Sequence, residues 1–227
     1  MGVGNVSKAG AWSYSRMKAF ENCPKQFYHM NVLKEYPFQQ TEAMRYGTEF
    51  HKACEEYIRD GAPVPKKFDF IEPTLQKLAE MEGKKHCELK MGLTADLEPC
   101  GFFDKKVWFR GVADLIIING EEARYVDYKT NKDAKYADPG QLQLMALCIF
   151  KHFPQVKKVK GGLIFVIANS LVKQDYTAAD EAVLWKPWLS KYAALEKAYE
   201  TGVWNPRPSG LCRKHCPVVE CAHNGSK

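Results

Sequence analysis

Phe109-Arg110-Gly111-Val112-Ala113-Asp114-Leu115-Ile116-Ile117-Ile118-Asn119-Gly120-Glu121-Glu122-Ala123-Arg124-Tyr125-Val126-Asp127-Tyr128-Lys129-Thr130 is the stretch whose reading decides the fold. At its centre, Asn119-Gly120 is a strong two-residue hairpin signal, because both residue types accept the positive φ of a tight primed turn. The apolar runs on either side read as paired strands. Folding about that turn brings Asp114 and Asp127 toward one end of the pair, with Lys129 beside them. Two carboxylates offer hard oxygen ligands to Mg²⁺ or Mn²⁺. An ammonium group can steer a metal-bound water or offset charge on a phosphate. Taken alone the D-x-K pattern is weak, since aspartates often cap turns and a nearby lysine is usually solvated.

Outward from the hairpin, strands are expected at about 106–109, 112–118, 123–129 and 162–168, the last rich in β-branched and aromatic residues. Helices are expected at 13–30, with Ser13 or Ser15 as N-cap, and at 43–59, ended by Asp60-Gly61. Further helices are expected at 74–82, from Asp138-Pro139 to about 152, and at 177–200 with an interruption at Lys186-Pro187. The stretch 83–99 has no clear period. The order helix–β–β–β–helix–β predicts an α/β fold with a central mixed sheet flanked by helices.

Five elements along the chain resemble the PD-(D/E)XK nuclease superfamily, in its RecB-like branch. Ser13-Tyr14-Ser15 through Cys23-Pro24-Lys25-Gln26-Phe27-Tyr28 is similar to an opening stretch of that branch. Gly47-Thr48-Glu49-Phe50-His51 is similar to its G-x-x-x-H helix. Gly111-Val112-Ala113-Asp114 stands at the "PD" position with Ala for Pro, and Asp127-Tyr128-Lys129 is the D/E-x-K element. Gln141-Leu142-Gln143-Leu144-Met145 is similar to Q-x-x-x-Y, with Met for Tyr. The resemblance runs from about Ser13 to Cys221 and implies a restriction-endonuclease-like core. It implies one nuclease domain, 1–227, comprising N-terminal helices at 13–60, a catalytic sheet core at 105–170 and a cysteine-rich tail at 202–227.

It also implies roles. His51, Asp114, Asp127 and the carbonyl of Tyr128 would hold one or two Mg²⁺ or Mn²⁺ ions. Lys129 would position the attacking water, and Gln141 would orient the lysine, the water or the phosphate. Gln143 takes that place if the register slips. Glu55 and Glu56 are further candidates for the metal, and Arg45, Tyr46 and Lys132 for the DNA backbone. Each of these is otherwise read as an ordinary surface or helix residue.

Cys212-Arg213-Lys214-His215-Cys216-Pro217-Val218-Val219-Glu220-Cys221 holds three cysteines in a polar tail, a density that reads better as a metal site than as core. Cys23 is the candidate fourth ligand. The arrangement resembles the iron–sulfur staple of AddB-type and CRISPR-associated RecB-like nucleases, although the spacing here is C-x3-C-x4-C where that family often has C-x2-C-x5-C. Four thiolates suit [4Fe–4S] or Zn²⁺, and His215 and His223 keep zinc open. Joining the chain ends this way closes a very long loop. Cys54, Cys87, Cys100 and Cys148 read as buried or free thiols.

A chain of 227 residues with a formal charge of +6 can bury one sizeable core and suits a polyanionic partner without requiring one. No apolar run has the length of a membrane span, and the N-terminus has no signal-peptide stretch. Eight cysteines without a secretion signal point to a reducing compartment, the cytoplasm, or the host cytoplasm if the source is viral. The expected activity is a metal-dependent deoxyribonuclease, an exonuclease acting on linear ends or single strands in recombination, repair or phage DNA processing. The alternative is a non-catalytic or partner-dependent nucleic-acid-binding subunit on the same scaffold. Trp185, Trp188 and Trp204 would then offer a docking or base-stacking surface, with core packing as their bland reading. Oligomeric state is left open.

Overall fold

The computed structural model describes residues 9–37, 39–135 and 137–225. The chain divides into two compact units: Gln40–Lys186 forms one, and Met1–Gln39 with Pro187–Lys227 forms the other.

The central unit is built on a six-stranded sheet. Its strands are β1 (Lys84–Leu93), β2 (Pro99–Cys100), β3 (Phe109–Asn119), β4 (Glu122–Lys129), β5 (Lys158–Phe165) and β6 (Ser170–Thr177), in the order β2-β1-β3-β4-β5-β6. Only β4 and β5 run parallel; the other neighbours are antiparallel. A parallel pair needs a crossover, and α5 (Gly140–His152) supplies it. Helices α3 (Glu42–Asp60) and α4 (Glu72–Glu80), with a 3-10 turn at Lys66–Ile71, also belong to this unit. The mixed sheet flanked by helices is the α/β, restriction-endonuclease-like architecture expected from the sequence.

A hairpin forms here, but its turn lies one residue later than expected: Asn119 pairs with Glu122, so Gly120, at φ 58, and Glu121 make the turn. Of the strand expected at 106–109 only Phe109 is extended in the sheet; it continues into the strand expected at 112–118 as β3, because Arg110 and Gly111 pair with Gly92 and Met91 without interruption. The unassigned stretch 83–99 supplies β1. The expected strand at 162–168 begins earlier, at Lys158, and ends at Phe165. The additional edge strand β6 lacks the apolar alternation that would announce it, since only Tyr176 in it is buried.

Alternate residues of β4 face two different layers. Val126 and Tyr128 join a core cluster with Phe50, Cys54, Phe68, Ile71, Leu75, Leu115 and Ile117. Tyr125, Asp127 and Lys129 lie on the opposite face by the period of two, where α5 brings Gln141. Fully buried Leu142, Leu144, Ala146, Leu147 and Cys148 make α5 apolar on nearly every side, which marks a helix enclosed by its unit.

In the other unit, the helix expected at 13–30 is interrupted. Helix α1 (Tyr14–Asn22) stops at Cys23, whose backbone is extended at φ −162, ψ 105; α2 (Pro24–Phe27) and a π-helical turn (Tyr28–Val32) follow. Pro24 explains the break, because a residue before proline is pushed out of the helical region. Helix α6 (Glu181–Thr201) begins in the central unit and ends in this one. It starts four residues later than expected and continues through Pro187 rather than breaking there. Trp188 is buried beside Trp12, and Trp204 stacks on Phe27 and Tyr28 at 6.0 and 5.1 Å. In the central unit Trp185 is also buried. The tryptophans that offered a docking surface are taken up in packing.

Candidate active site

His51 enters through α3. Thr41 caps that helix, its hydroxyl accepting from the Met44 amide at 3.2 Å, and Gly61 ends it at φ 70. Burial of Phe50 and Cys54 against the core sets the rotation of the helix. His51 then lies with Nδ1 3.2 Å from Asp114 Oδ2 and 3.9 Å from Glu88 Oε1. One donor atom from each of His51, Glu88 and Asp114 falls within 4.8 Å of the others.

Glu88 went unnoticed in the sequence. It sits in β1 at φ 47, an uncommon conformation for a residue with a side chain. The β1–β3 ladder pairs Cys87 with Leu115 and Leu89 with Ala113, so the unchanged register would pair Glu88 with Asp114. That pair is the one missing from the ladder. No residue is inserted; the backbone at Glu88 turns instead of pairing. Counting the antiparallel register back from Asp114 would have found Glu88, had 83–99 been recognised as a strand.

The β3–β4 ladder likewise ends at Leu115 with Val126, one step short of Asp114 and Asp127. In place of the next rung, the Tyr128 amide donates to Asp114 Oδ2 at 2.8 Å. A side-chain bond thus replaces a backbone bond where the strands part; Asp127 feels the charge of Asp114 but stands outside the group of donor atoms that His51, Glu88 and Asp114 form.

Asp127 is 3% exposed, the most enclosed carboxylate of the site. Its Oδ1 accepts from Tyr125 Oη at 3.1 Å and from Gln141 Nε2 at 2.5 Å. Lys129 Nζ donates to Gln141 Oε1 at 2.8 Å. Gln141 thus bridges the acid and the lysine, while Gln143 lines a separate cavity with Pro139, Gln174 and Tyr176. Lys129 Nζ is also 2.6 Å from Asp127 Oδ2, close enough to pair charges. Yet that oxygen is buried and accepts no well-aligned hydrogen bond.

The electrostatics follow from this crowding. Burial, and then the charge of Asp114, raise the Asp127 pKa against the pull of Lys129. Burial opposes the imidazolium of His51, but hydrogen bonds to Asp114 and Glu88 and the charges of Asp114 and Asp127 outweigh it. The His51 pKa is pushed up to about 10. Three carboxylates against one imidazole and one ammonium form a site short of positive charge. The hard oxygen donors of Glu88 and Asp114 around His51 fit a divalent cation of the Mg²⁺ or Mn²⁺ kind.

The other candidates lie elsewhere. Glu55 is ion-paired with Arg59, and Glu56 with Lys52 at 3.7 Å. Tyr46 packs edge-on against Phe68. Arg45 and Lys132 are exposed. Burial raises the thiols of Cys54 and Cys148 far above their ordinary value.

In the other unit, Cys23, Cys212, Cys216 and Cys221 line one pocket together with Lys25, Arg207 and His223. Cys23 Sγ accepts from the amides of Gln26 and Arg207 at 3.5 and 3.4 Å. Cys212 Sγ accepts from the Ser209 amide at 3.4 Å. Burial, and then the neighbouring sulfurs, raise the Cys216 pKa. The four sulfurs share a pocket, two of them already receiving N–H bonds, but they are not among the groups whose donor atoms lie within 4.8 Å of one another.

No helix among the described residues is long and apolar enough to cross a membrane. No curated protein matches the chain. The crystal structure of a "putative exonuclease" from Eubacterium rectale aligns over 93% of this chain and 91% of that one, with a TM-score of 0.51 and 12% identity. The crystal structure of SSO0001 aligns over 98% and 91%, with a TM-score of 0.45 and 15% identity. The family model of the PD-(D/E)XK nuclease superfamily, whose members use divalent metals, matches residues 11–86 and 66–221. With that match over most of its length, the chain belongs to the PD-(D/E)XK nuclease superfamily.

Proposed function

We propose that the protein is a metal-dependent deoxyribonuclease of the RecB-like branch, acting as an exonuclease on linear ends or single strands. The whole chain, 1–227, would serve as one nuclease domain. The observation that carries the reading is the bridge from Lys129 through Gln141 to Asp127, set where Asp127 feels the charge of Asp114 and Asp114 pairs with His51. A non-catalytic scaffold has no need to hold a lysine against a buried acid with a glutamine from another element.

His51, Glu88, Asp114 and Asp127, with the Tyr128 carbonyl, would hold one or two Mg²⁺ or Mn²⁺ ions. A divalent cation bound there lowers the pKa of a coordinated water and offsets charge on the scissile phosphate. His51 must give up its Nδ1 proton to serve as a ligand, and its raised pKa makes cation and proton compete. Lys129 donates toward the attacking water and the phosphate oxygens, where negative charge grows during in-line displacement. Gln141 fixes the ammonium by accepting from it and fixes Asp127 by donating to it.

Cys23, Cys212, Cys216 and Cys221 would hold a [4Fe–4S] cluster, with Zn²⁺ as the alternative. The convergence of the four cysteines on one pocket supports that reading. Iron and acid-labile sulfide per chain, with visible absorption, separate the two. DNA recombination, repair or phage DNA processing is the natural setting, in a cytoplasm, with a protein partner in recombination as a further expectation.

The test is a time course on end-labelled linear DNA and closed circular DNA with Mg²⁺, Mn²⁺ or EDTA. Cation-dependent loss of linear DNA is expected, reduced by roughly 10²–10³-fold or more in Lys129→Ala. Cutting of closed circles would replace the exonuclease with an endonuclease. Cluster-loaded protein inert on every substrate would favour the non-catalytic or partner-dependent subunit.

A further inference from the structure

We propose that His29, Glu35 and Glu220 form a second divalent-cation site, structural in role and separate from the His51 group. Glu35 Oε2 lies 2.5 Å and Glu220 Oε1 3.0 Å from the same ring nitrogen, His29 Nδ1. An imidazole nitrogen carries at most one hydrogen, so it cannot give a full bond to both acids. The three donor atoms lie within 4.8 Å of one another. A cation among them would satisfy the nitrogen lone pair and both carboxylates at once.

The ligands are placed by separate means. Lys34 adopts φ 56, an uncommon conformation for a residue with a side chain, and the Glu35 amide donates back to the His29 carbonyl at 3.1 Å. That turn delivers Glu35 to the imidazole. Glu220 arrives from the far end of the chain and is oriented by Tyr36, whose hydroxyl donates to Glu220 Oε2 at 2.6 Å. A hydrogen bond to the non-ligating oxygen of a carboxylate is the usual outer support of a metal ligand. One imidazole nitrogen with two carboxylate oxygens suits Mn²⁺ or Zn²⁺, and the half-exposed acids leave room for water to complete the shell. The ion would tie the turn after α2 to the residue preceding Cys221.

The experiment starts from full-length protein carrying His51→Ala, Asp114→Asn and Asp127→Asn, which removes the sheet site. Mn²⁺ is titrated in and read by electron paramagnetic resonance. Mn²⁺ is the probe because carboxylate and imidazole suit it better than thiolate does. One bound Mn²⁺ per chain is expected. Adding Glu35→Gln and Glu220→Gln should weaken it at least about tenfold, and Tyr36→Phe, which keeps every ligand, by a few-fold. Mn²⁺ should raise the thermal midpoint of the starting protein but not that of the Gln variant. If the paired substitution prevents folding, His29→Phe is read the same way. No bound Mn²⁺ in the starting protein, or binding unchanged by the Gln and Phe substitutions, overturns the site and leaves a histidine ion-paired with two acids. The readout is metal stoichiometry, so either result is independent of whether the protein cuts DNA.

Discussion

Glu88 shows what a single side chain can do when its backbone leaves the sheet. Its φ of 47 is an outlier for a non-glycine residue, and such strain persists where the surroundings hold it. We expect Glu88→Gln to weaken Mn²⁺ binding by roughly 10–100-fold with little change in secondary structure; unchanged binding in a calorimetric titration would remove Glu88 from the metal set. His51 makes a second prediction, for protein kept metal-free with EDTA. Its folded pKa, up to about 10, exceeds the unfolded value of about 6.5, so its pairing with Asp114 and Glu88 stabilises the fold fully below that lower value. The contribution is lost as pH rises through about 10. The urea midpoint should therefore fall between pH 7 and 10, and fall less in His51→Gln; equal slopes in the two proteins would contradict the assignment. Asp127 does not confound this window, because its raised pKa costs stability as pH climbs from about 4 toward neutrality and is constant above it. Asp114, Asp127 and Lys129 were legible because a hairpin converts thirteen residues of separation into adjacency. Glu88 was not, because its position depends on a strand with no readable period.

At the scale of elements, the parting of β3 from both neighbours at Asp114 is what makes room for chemistry in the middle of a sheet. Pairing with β1 resumes beyond it while the β3–β4 ladder ends there, so the opening is framed on the β1 side and splayed on the β4 side. The frame is tight at the start of β1. Gly83 has φ 124, and a Cβ there would lie 2.5 Å from the Ile118 carbonyl oxygen. Gly83→Ala should destabilise the protein by roughly 1–3 kcal/mol in denaturant unfolding through that strain and clash; a wild-type midpoint would show that the strand entrance can yield. Several elements could be read from local chemistry, among them the hairpin at Asn119-Gly120 and the Asp60-Gly61 end of α3, whereas the break before Pro24 and the Thr41 cap were missed. Strand β6 could not, since an edge strand whose residues mostly face water carries no apolar alternation. Pro187 misled for a related reason. A lost hydrogen bond is a local penalty, and burial of Trp185 and Trp188 on the same helix outweighs it.

For the whole molecule, the decisive fact is that one unit is made from both chain ends while the other is a continuous insert. The cluster proposed at Cys23, Cys212, Cys216 and Cys221 would constrain nearly the full chain, so its loss would be felt in the unfolded state as well as the folded one. Chelation or Cys212→Ser should lower stability by roughly 2–5 kcal/mol, the range for losing a covalent staple. The α5 and β-sheet unit, which contains none of these cysteines, should keep its circular dichroism at temperatures where the other has melted. A single coincident transition would show the two to be one cooperative body. The fold class could be read from the order of elements, but the division into units could not, because nothing local in the sequence marks Gln39 or Pro187 as a boundary. The discontinuous unit also has a bearing on biosynthesis. Helix α1 and Cys23 are translated before the whole central unit, and their partners after it. At roughly 5–20 residues per second, the N-terminal segment waits on the order of ten seconds while the nuclease sheet emerges and folds. Throughout that interval Cys23 lacks the cysteines that share its pocket, so residues made late decide when ones made early can settle.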